Sequence, residues 1–337
     1  MQWPGKRALI TGATGFIGGH LARRLATEEN IQVRALVRNP RKGQWLIDLG
    51  VEVVPGDIID SASLQAAMTG CQLVFHAAAS VGEGVDAKTE IWAVNVKGTQ
   101  NMADAALAAG VERFVHLSSC AVYGSLQRHN IDERTPIRMR GNLYSDSKVA
   151  AEEVTFRAYR EQGLPVVLAR ASQVYGPGST QFTIRPVEAI KAGQMILIDR
   201  GRHLCKPIYI DNLVDGLILC GKIDAAIGEA INLTDGAPIS WRDFFGAYGR
   251  MLNIDSFPSV PFALAWLISY AQELKAARRG RKANLNREVI KVLHSSNSFS
   301  NQKARTLLGW APKIDFAEGM QRTEAWLRVE GYLPKGG

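Results

Sequence analysis

The chain has 337 residues, of which 46% are hydrophobic and 21% charged, the make-up of a folded globular protein rather than a disordered or fibrous one. Forty basic against 32 acidic residues leave a net charge of +8, which suits an anionic cofactor or substrate and equally a basic surface kept for solubility. Cys71, Cys120, Cys205 and Cys220 show no CxxC spacing, so no zinc site, redox pair or other metal centre is expected, and the longest apolar run, Val260 to Ala271, is too short to span a bilayer.

In chain order, Ala8 to Thr11 is a short apolar run, long enough for one buried strand. Glycines follow at Gly12, Gly15, Gly18 and Gly19, then a helical pattern through Leu21, Leu25 and Ala26. A strand, a glycine turn and a helix start in this order predict a dinucleotide-binding βαβ unit. Gly12 allows the turn, Gly15 lets the backbone approach a pyrophosphate, and Gly18 lets helix and strand pack closely. The helix N-terminus then offers free N–H groups to the phosphates.

Ile31 to Val37 reads as a second strand, ending in Arg38-Asn39-Pro40-Arg41-Lys42. Val51 to Val54 is a third strand, followed by Gly56-Asp57. Leu73 to His76 is a fourth, opening into Ala77-Ala78-Ala79. A helical pattern covers about 86–109, Arg113 to Leu117 is a fifth strand, Tyr144 to Gln162 is helical, and Pro165 to Ala169 is a sixth strand. Strands alternating with helices predict an α/β fold with a doubly wound parallel sheet.

Past Tyr175-Gly176-Pro177-Gly178 the pattern changes. Thr183 to Ala192 reads as a helix, Met195 to Ile198 and Pro207 to Ile210 as short strands, and Asp211 as the cap of a helix reaching about Gly221. Ala230 to Leu233 reads as the last sheet strand, and from Ser240 onward the chain is mainly helical. Residues 1–176 plus about 207–234 are therefore expected to form the dinucleotide-binding domain, and about 177–206 plus 235–337 a smaller, mainly helical substrate lobe. The stretch Val260 to Ala271 is expected to be a core or pocket-lining helix. The run Arg278-Arg279-Gly280-Arg281-Lys282 reads as a solvated helix end or loop, although a membrane surface or nucleic acid would also attract it. No aromatic–basic interleaving supports nucleic-acid binding.

Several residues are candidates for chemistry. Tyr144 and Lys148 lie four apart on one predicted helix and share a face. A phenol ionises near pH 10, and a neighbouring ammonium favours the phenolate. Ser118 and Ser119 end the fifth strand, where a hydroxyl can hold a substrate carbonyl or alcohol beside that phenol. Asn95 sits inside a helical stretch, where asparagine is mildly unfavourable. Surface exposure would explain it, and so would a role holding a water that carries the tyrosine proton. Asp57 could bind the adenine amino group or cap the following turn. Arg38 stands where an acidic residue would bind the ribose of NAD, and an arginine there suits the 2′-phosphate of NADP, with Arg41 and Lys42 as possible helpers.

Taken together these residues resemble the extended short-chain dehydrogenase/reductase family, which includes sugar-nucleotide epimerases, dehydratases and 3β-hydroxysteroid dehydrogenases. TGATGFIG (11–18) resembles its cofactor turn, GDI (56–58) its adenine contact, HAAA (76–79) its fourth-strand signature and NVKGT (95–99) its asparagine motif. SSCAVYG (118–124) resembles the serine motif, YSDSK (144–148) the YxxxK motif, and QVYGPG (173–178) and LGWAPK (308–313) two later signatures. The match runs from Lys6 to about Leu327. The resemblance implies a Rossmann-type fold and makes Tyr144 the acid/base. Lys148 becomes its partner and a cofactor-ribose ligand, Ser119 the substrate holder, and Asn95 the proton-relay residue. It also implies a cofactor site made of Gly12, Thr14, Gly15, Phe16, Ile17, Gly18, Arg38, Asp57 and Ile58. Ala77, Ala78, Ala79, Ala171, Ser172 and Val174 complete that site, together with Tyr144 and Lys148. A cytoplasmic homodimer is the family expectation; free thiols and the absence of a signal-peptide pattern point to the same compartment.

Three departures narrow the branch. Cys120-Ala121 follow Ser119 where dehydratases carry an Asp-Glu pair, which argues against elimination of water. Gln173 replaces the asparagine usual in sugar-nucleotide enzymes. Cys205-Lys206 replace their usual diphosphate-holding Arg-Asp pair, leaving Lys206, Arg202 or Arg287 as possible substitutes. The C-terminal part looks more like the steroid and 3-oxoalkanoate oxidoreductase branch. Phe262, Leu264, Trp266, Leu267 and Tyr270 would suit a lipid-like substrate, although core packing explains them equally. The expected activity is reversible reduction of a ketone to a secondary alcohol with NADP(H), NAD(H) being the alternative cofactor. A sugar-nucleotide 4-epimerase using the same residues is the main rival, and a catalytically silent dinucleotide-sensing regulator the third.

Overall fold

A computed structural model describes residues 3–82, 87–278 and 286–334. Its first strand, β1 (Arg7–Thr11), is buried along most of its length, as a central parallel strand must be. Gly12 then turns the chain at φ 74°, where a Cβ would stand 2.9 Å from the backbone of Ala77 and Ala78. Both the left-handed backbone and the close approach demand glycine. Helix α1 (Phe16–Glu28) leaves the turn over Gly18, whose Cβ would come within 2.3 Å of the Gly12 carbonyl.

The alternation continues through β2 (Gln32–Val37), a short α2 (Gln44–Ile47), β3 (Glu52–Pro55), α3 (Ser61–Met68) and β4 (Leu73–His76). Next come α4 (Ala87–Trp92) and α5 (Gly98–Ala109), joined by a π-turn over Ala93–Lys97. Position 86, where the helical pattern was expected to begin, lies outside the described residues. Then follow β5 (Arg113–Ser119), α6 (Leu143–Gln162), β6 (Val166–Ala171) and β7 (Gln173–Tyr175).

The later elements are α7 (Arg185–Lys191), β8 (Leu197–Ile198), β9 (Leu204–Cys205), β10 (Pro207–Tyr209), α8 (Ile210–Lys222), β11 (Ala230–Leu233) and β12 (Ile239–Ser240). A mainly helical C-terminal part holds α9 (Trp241–Met251), β13 (Ser259–Val260), α10 (Phe262–Ala277), α11 (Arg287–Leu293), α12 (Gln302–Leu308) and α13 (Phe316–Val329).

The central sheet has seven strands in the order β11-β6-β5-β4-β1-β2-β3, every neighbouring pair parallel. Alternate residues feed two cores. Ala8, Ile10, Phe75, Val115 and Val167 pack with α1 and α8 on one face, while Leu9, Val74, Phe114, Val166 and Leu168 pack with α3 and α5 on the other. This is the Rossmann-type doubly wound arrangement, and the β1–β4 junction is its switch point.

Four expectations need correction. Asp211 does not cap α8; Tyr209 precedes the helix and Asp211 lies in its first turn, where its carboxylate meets Arg322 at 3.5 Å. Thr183 belongs to a π-turn over Thr180–Ile184 capped by Ser179, and the α-helix begins only at Arg185. The strand expected over Pro207 to Ile210 stops at Tyr209, because Ile210 already opens α8, and it pairs with Gln173–Tyr175 outside the main sheet. Finally, α10 is not a core helix, because its leucines Leu264, Leu267 and Leu274 all face solvent. Arg279 to Lys282 lie outside the described residues, while Arg278 is exposed at the end of α10. No helix among the described residues is long and apolar enough to cross a membrane.

Candidate active site

The carboxyl ends of the parallel strands converge on one edge, where ligands of such sheets bind. Gly12 follows β1, Arg38 follows β2, Asp57 follows β3, Ala77 follows β4 and Ser172 follows β6, while Ser119 closes β5. Helix α6 crosses this edge. Its cap is Asn142, whose side chain accepts from the Ser145 N–H, and Tyr144, Lys148 and Glu152 then fall one turn apart on one face.

The two serines separate in role. Ser118 is buried and its hydroxyl donates to Glu152 Oε1 at 2.5 Å. Ser119 accepts from the Ala121 N–H at 3.2 Å, and its hydroxyl faces the Tyr144 phenol. Burial lifts the Tyr144 pKa above its ordinary value, and the Ser119 hydroxyl opposes that rise. Lys148 is buried, and its Nζ donates to the Leu117 carbonyl at 2.9 Å. Burial pushes its pKa down to about 8, and the Glu152 carboxylate one turn along works against that fall.

Beneath the lysine, His76 and His116 sit opposite each other across β4 and β5, their rings 5.4 Å apart. Burial, reinforced by the Lys148 cation, holds His76 down to about 3 and His116 well below its ordinary value, so both imidazoles are neutral. His76 is fixed by Thr11 Oγ1 at 2.8 Å and Thr99 Oγ1 at 3.0 Å.

Asn95 lies in the π-turn and is buried, which removes surface exposure as its explanation. Its Oδ1 accepts from the Ser80 N–H at 2.7 Å, and its Nδ2 donates to the Ser80 carbonyl at 2.8 Å and to Ser147 Oγ at 2.9 Å. Both amide protons are therefore committed, and the side chain ties the loop after β4 to the turn of α6 that carries Tyr144 and Lys148. Glu152 closes a second network that sequence reasoning missed. It takes a two-pronged contact from Arg170, Nε to Oε1 at 2.9 Å and Nη2 to Oε2 at 2.6 Å. Arg170 Nη1 reaches Tyr123 Oη at 2.8 Å, and Tyr123 donates on to Asn232. The only sign in the sequence was the position of Glu152, four residues past Lys148.

The residues expected to hold a dinucleotide fit one. Thr14 and Gly15 are exposed at the start of α1, where no side chain caps the helix, so its N–H groups are free for an anion. Phe16 and Ile17 are half-buried behind them. Arg38 is exposed beyond β2. Asp57 Oδ1 accepts from the Ile59 N–H at 3.2 Å, which realises the turn-capping reading, and Ile58 packs against Gly98. Ala77 and Ala78 press against Gly12, with Ala79 exposed after them. Beyond β6, between buried Ala171 and Val174, the Ser172 hydroxyl is buried with no protein hydrogen-bond partner. Such a group calls for a ligand or water.

The candidate diphosphate cations are engaged elsewhere. Lys206 is buried and donates from Nζ to the Ser295 carbonyl at 3.1 Å. Arg287 pairs with Glu273 at 2.7 Å and lies over the rings of Trp266 and Tyr270. Gln173 Oε1 accepts from the Lys206 N–H at 2.7 Å, and Arg202 points outward. A further cluster, Asp199, His203 and His294, places three potential metal ligands within 4.8 Å of one another. Asp199 Oδ2 accepts from His294 Nδ1 at 2.9 Å and lies 3.3 Å from His203 Nε2, contacts that satisfy the group without an ion. Asp199 and His203 lie four apart, but His294 is distant in the sequence, so spacing alone does not reveal the cluster.

Comparison with known proteins gives three findings. The model of the NAD dependent epimerase/dehydratase family matches residues 8–233. Among curated relatives, the chain is 29% identical over 323 residues to a 4-hydroxy-2-methyl-3-oxo-4-farnesyl-3,4-dihydroquinoline-1-oxide ketoreductase of Stigmatella aurantiaca, covering 93% of this chain and 94% of that one. It is 28% identical over 341 residues to a 2-alkyl-3-oxoalkanoate reductase of Shewanella oneidensis, covering 95% and 86%. Among solved structures, the epimerase Mth375 of Methanothermobacter thermautotrophicus superposes with a TM-score of 0.81 at 26% identity, covering 98% of this chain and 95% of that one.

Proposed function

The chain belongs to the NAD-dependent epimerase/dehydratase family and is an NAD(P)-dependent enzyme of the extended short-chain type, and on that premise we propose that it interconverts a lipid-like ketone and its secondary alcohol. The observation that carries the choice over a sugar-nucleotide epimerase is the state of the second-lobe cations. A nucleoside diphosphate needs cations turned toward it, yet the buried Lys206 Nζ is held on the Ser295 carbonyl, Arg287 is paired with Glu273, and Arg202 faces solvent beside Asp199. The relatives named as reductases of a farnesyl-bearing ketone and of an alkyl-oxoalkanoate support the same substrate class.

The bound nicotinamide supplies or accepts the hydride. The protein's share is the proton and the geometry. Ser119 holds the carbonyl oxygen by a hydrogen bond from its hydroxyl, and Tyr144, facing the same serine, gives its phenolic proton to that oxygen. The buried Lys148 ammonium stabilises the phenolate that remains, and Glu152 helps to keep the lysine charged. Asn95 holds the site together by locking the loop at Ser80 to α6, and its π-turn is the route by which a water returns the proton. Alkyl ketones are expected to drive NADPH oxidation, while nucleotide sugars are not interconverted.

The cofactor preference rests on Arg38. If it grips a 2′-phosphate, Arg38→Asp weakens NADPH binding and leaves NADH binding far less affected. A charge-assisted hydrogen bond contributes roughly 1.5–3 kcal/mol, so the preference should shift by about tenfold or more. Fluorescence titration of both cofactors checks this, and an unchanged ratio removes Arg38 from the site.

A further inference from the structure

Helix α10 is apolar on the side that faces water. Ala265 and Ser269 are 1% and 0% exposed, and Phe262 and Trp266 are half-buried beside them. On the opposite side Leu264 (47% exposed), Leu267 (64%), Ile268 (39%) and Leu274 (48%) recur at helical spacing. Helix α11 packs against the other side of α10, through Ile290 and Leu293 on Ala265, Phe262 and Trp266, and so leaves the leucines uncovered. Scattered exposed leucines need no explanation, but a continuous stripe of them does.

The charge around the stripe is positive. Lys275 and Arg278 are exposed in the last turn of α10 and at its end. The nearby acids are already paired, Glu273 with Arg287 and Glu288 with Lys291. In the sequence Arg279, Arg281 and Lys282 follow directly. A second copy of this chain is a poor occupant, because a two-fold pairing through this face would set basic rim against basic rim. A 16-residue helix is also too short to span the roughly 30 Å hydrocarbon layer.

We propose that the exposed leucine face of α10 docks on an anionic lipid surface, with the helix lying in the plane of the interface. The leucines would enter the acyl boundary while Lys275 and Arg278 meet the headgroups. This surface stands next to the candidate active site, since Glu288 of α11 accepts from Asn142, the cap of the helix that carries Tyr144, at 3.0 Å. The proposal does not depend on the ketone reading, because lipid binding is measured without substrate or cofactor.

Co-sedimentation of the full chain with vesicles of phosphatidylcholine alone, or with added phosphatidylserine, tests it. Binding to the anionic vesicles is expected to exceed that to neutral ones by about tenfold or more and to fall at high salt. Leu264→Ser with Leu267→Ser, and separately Lys275→Glu with Arg278→Glu, should each lower it by about tenfold, with circular dichroism and cofactor titration unchanged. Light scattering without lipid supplies the other arm. Failure to bind anionic vesicles, undiminished binding by the leucine variant, or equal binding to neutral vesicles overturns the proposal. So does a dimer that the leucine variant dissociates, which would make this face a self-interface.

Discussion

Tyr144→Phe is expected to lower ketone turnover by about 10² to 10⁴-fold, the usual contribution of a positioned acid or base. Cofactor affinity should stay near the unsubstituted value. The change removes one oxygen from a half-buried ring on α6 and leaves Lys148, Glu152 and the glycine turn untouched. What is lost is the only proton that the Ser119-facing phenol can give. Because burial lifts the Tyr144 pKa, the phenol is protonated at neutral pH and ready to donate. Single-turnover mixing with reduced cofactor separates the chemical step from binding. Turnover within about threefold of the unsubstituted protein, set against that range, would remove Tyr144 from the mechanism.

The second large effect is on stability. Arg170 and Glu152 form a two-pronged pair with side chains only 5% and 1% exposed. Removing one partner strands the other charge in the interior, which typically costs about 3–5 kcal/mol. Arg170→Met should therefore lower the free energy of unfolding by about that amount, read as a shift of the urea midpoint at constant slope. Adding Glu152→Leu to the same chain should recover part of the loss, since no carboxylate is then stranded, while Lys148 and Ser118 still lose their neighbour. A single variant as stable as the parent would mean that Glu152 takes up a proton or reaches water. The pair also bears on the site, because it anchors the α6 face that carries Tyr144 and Lys148 to β6.

How much of this was legible in the sequence depends on how local the cause is. Gly12 and Gly18 were legible because a positive φ and a 2.3 Å approach leave glycine alone acceptable. The sheet was legible because strands covered on both faces read as unbroken apolar runs. The π-turn at Asn95 was not, since one extra residue in a helical turn barely alters the apolar spacing; the misplaced asparagine was its only trace. The direction of α10 was equally hidden. Leucines line one side of it and aromatics the other, so the pattern offers two faces to bury and does not say which the fold takes. Arg170 lies on a strand and Glu152 on a helix, and pairs formed by tertiary packing leave no spacing to find. The cations at Lys206 and Arg287 looked available for the same reason, until the Ser295 carbonyl and Glu273 were seen to hold them.

The central claim is that a ketone carbon receives hydride from an exchangeable reduced cofactor. Incubation with NADPH deuterated at the transferring position, an alkyl ketone and, separately, a nucleotide sugar tests it most directly by mass spectrometry. One deuterium on the carbinol carbon of the alcohol product, and unchanged, unlabelled nucleotide sugar, is the predicted result. An unlabelled ketone beside a nucleotide sugar inverted at a carbinol carbon, with the cofactor retained on the protein, would contradict it.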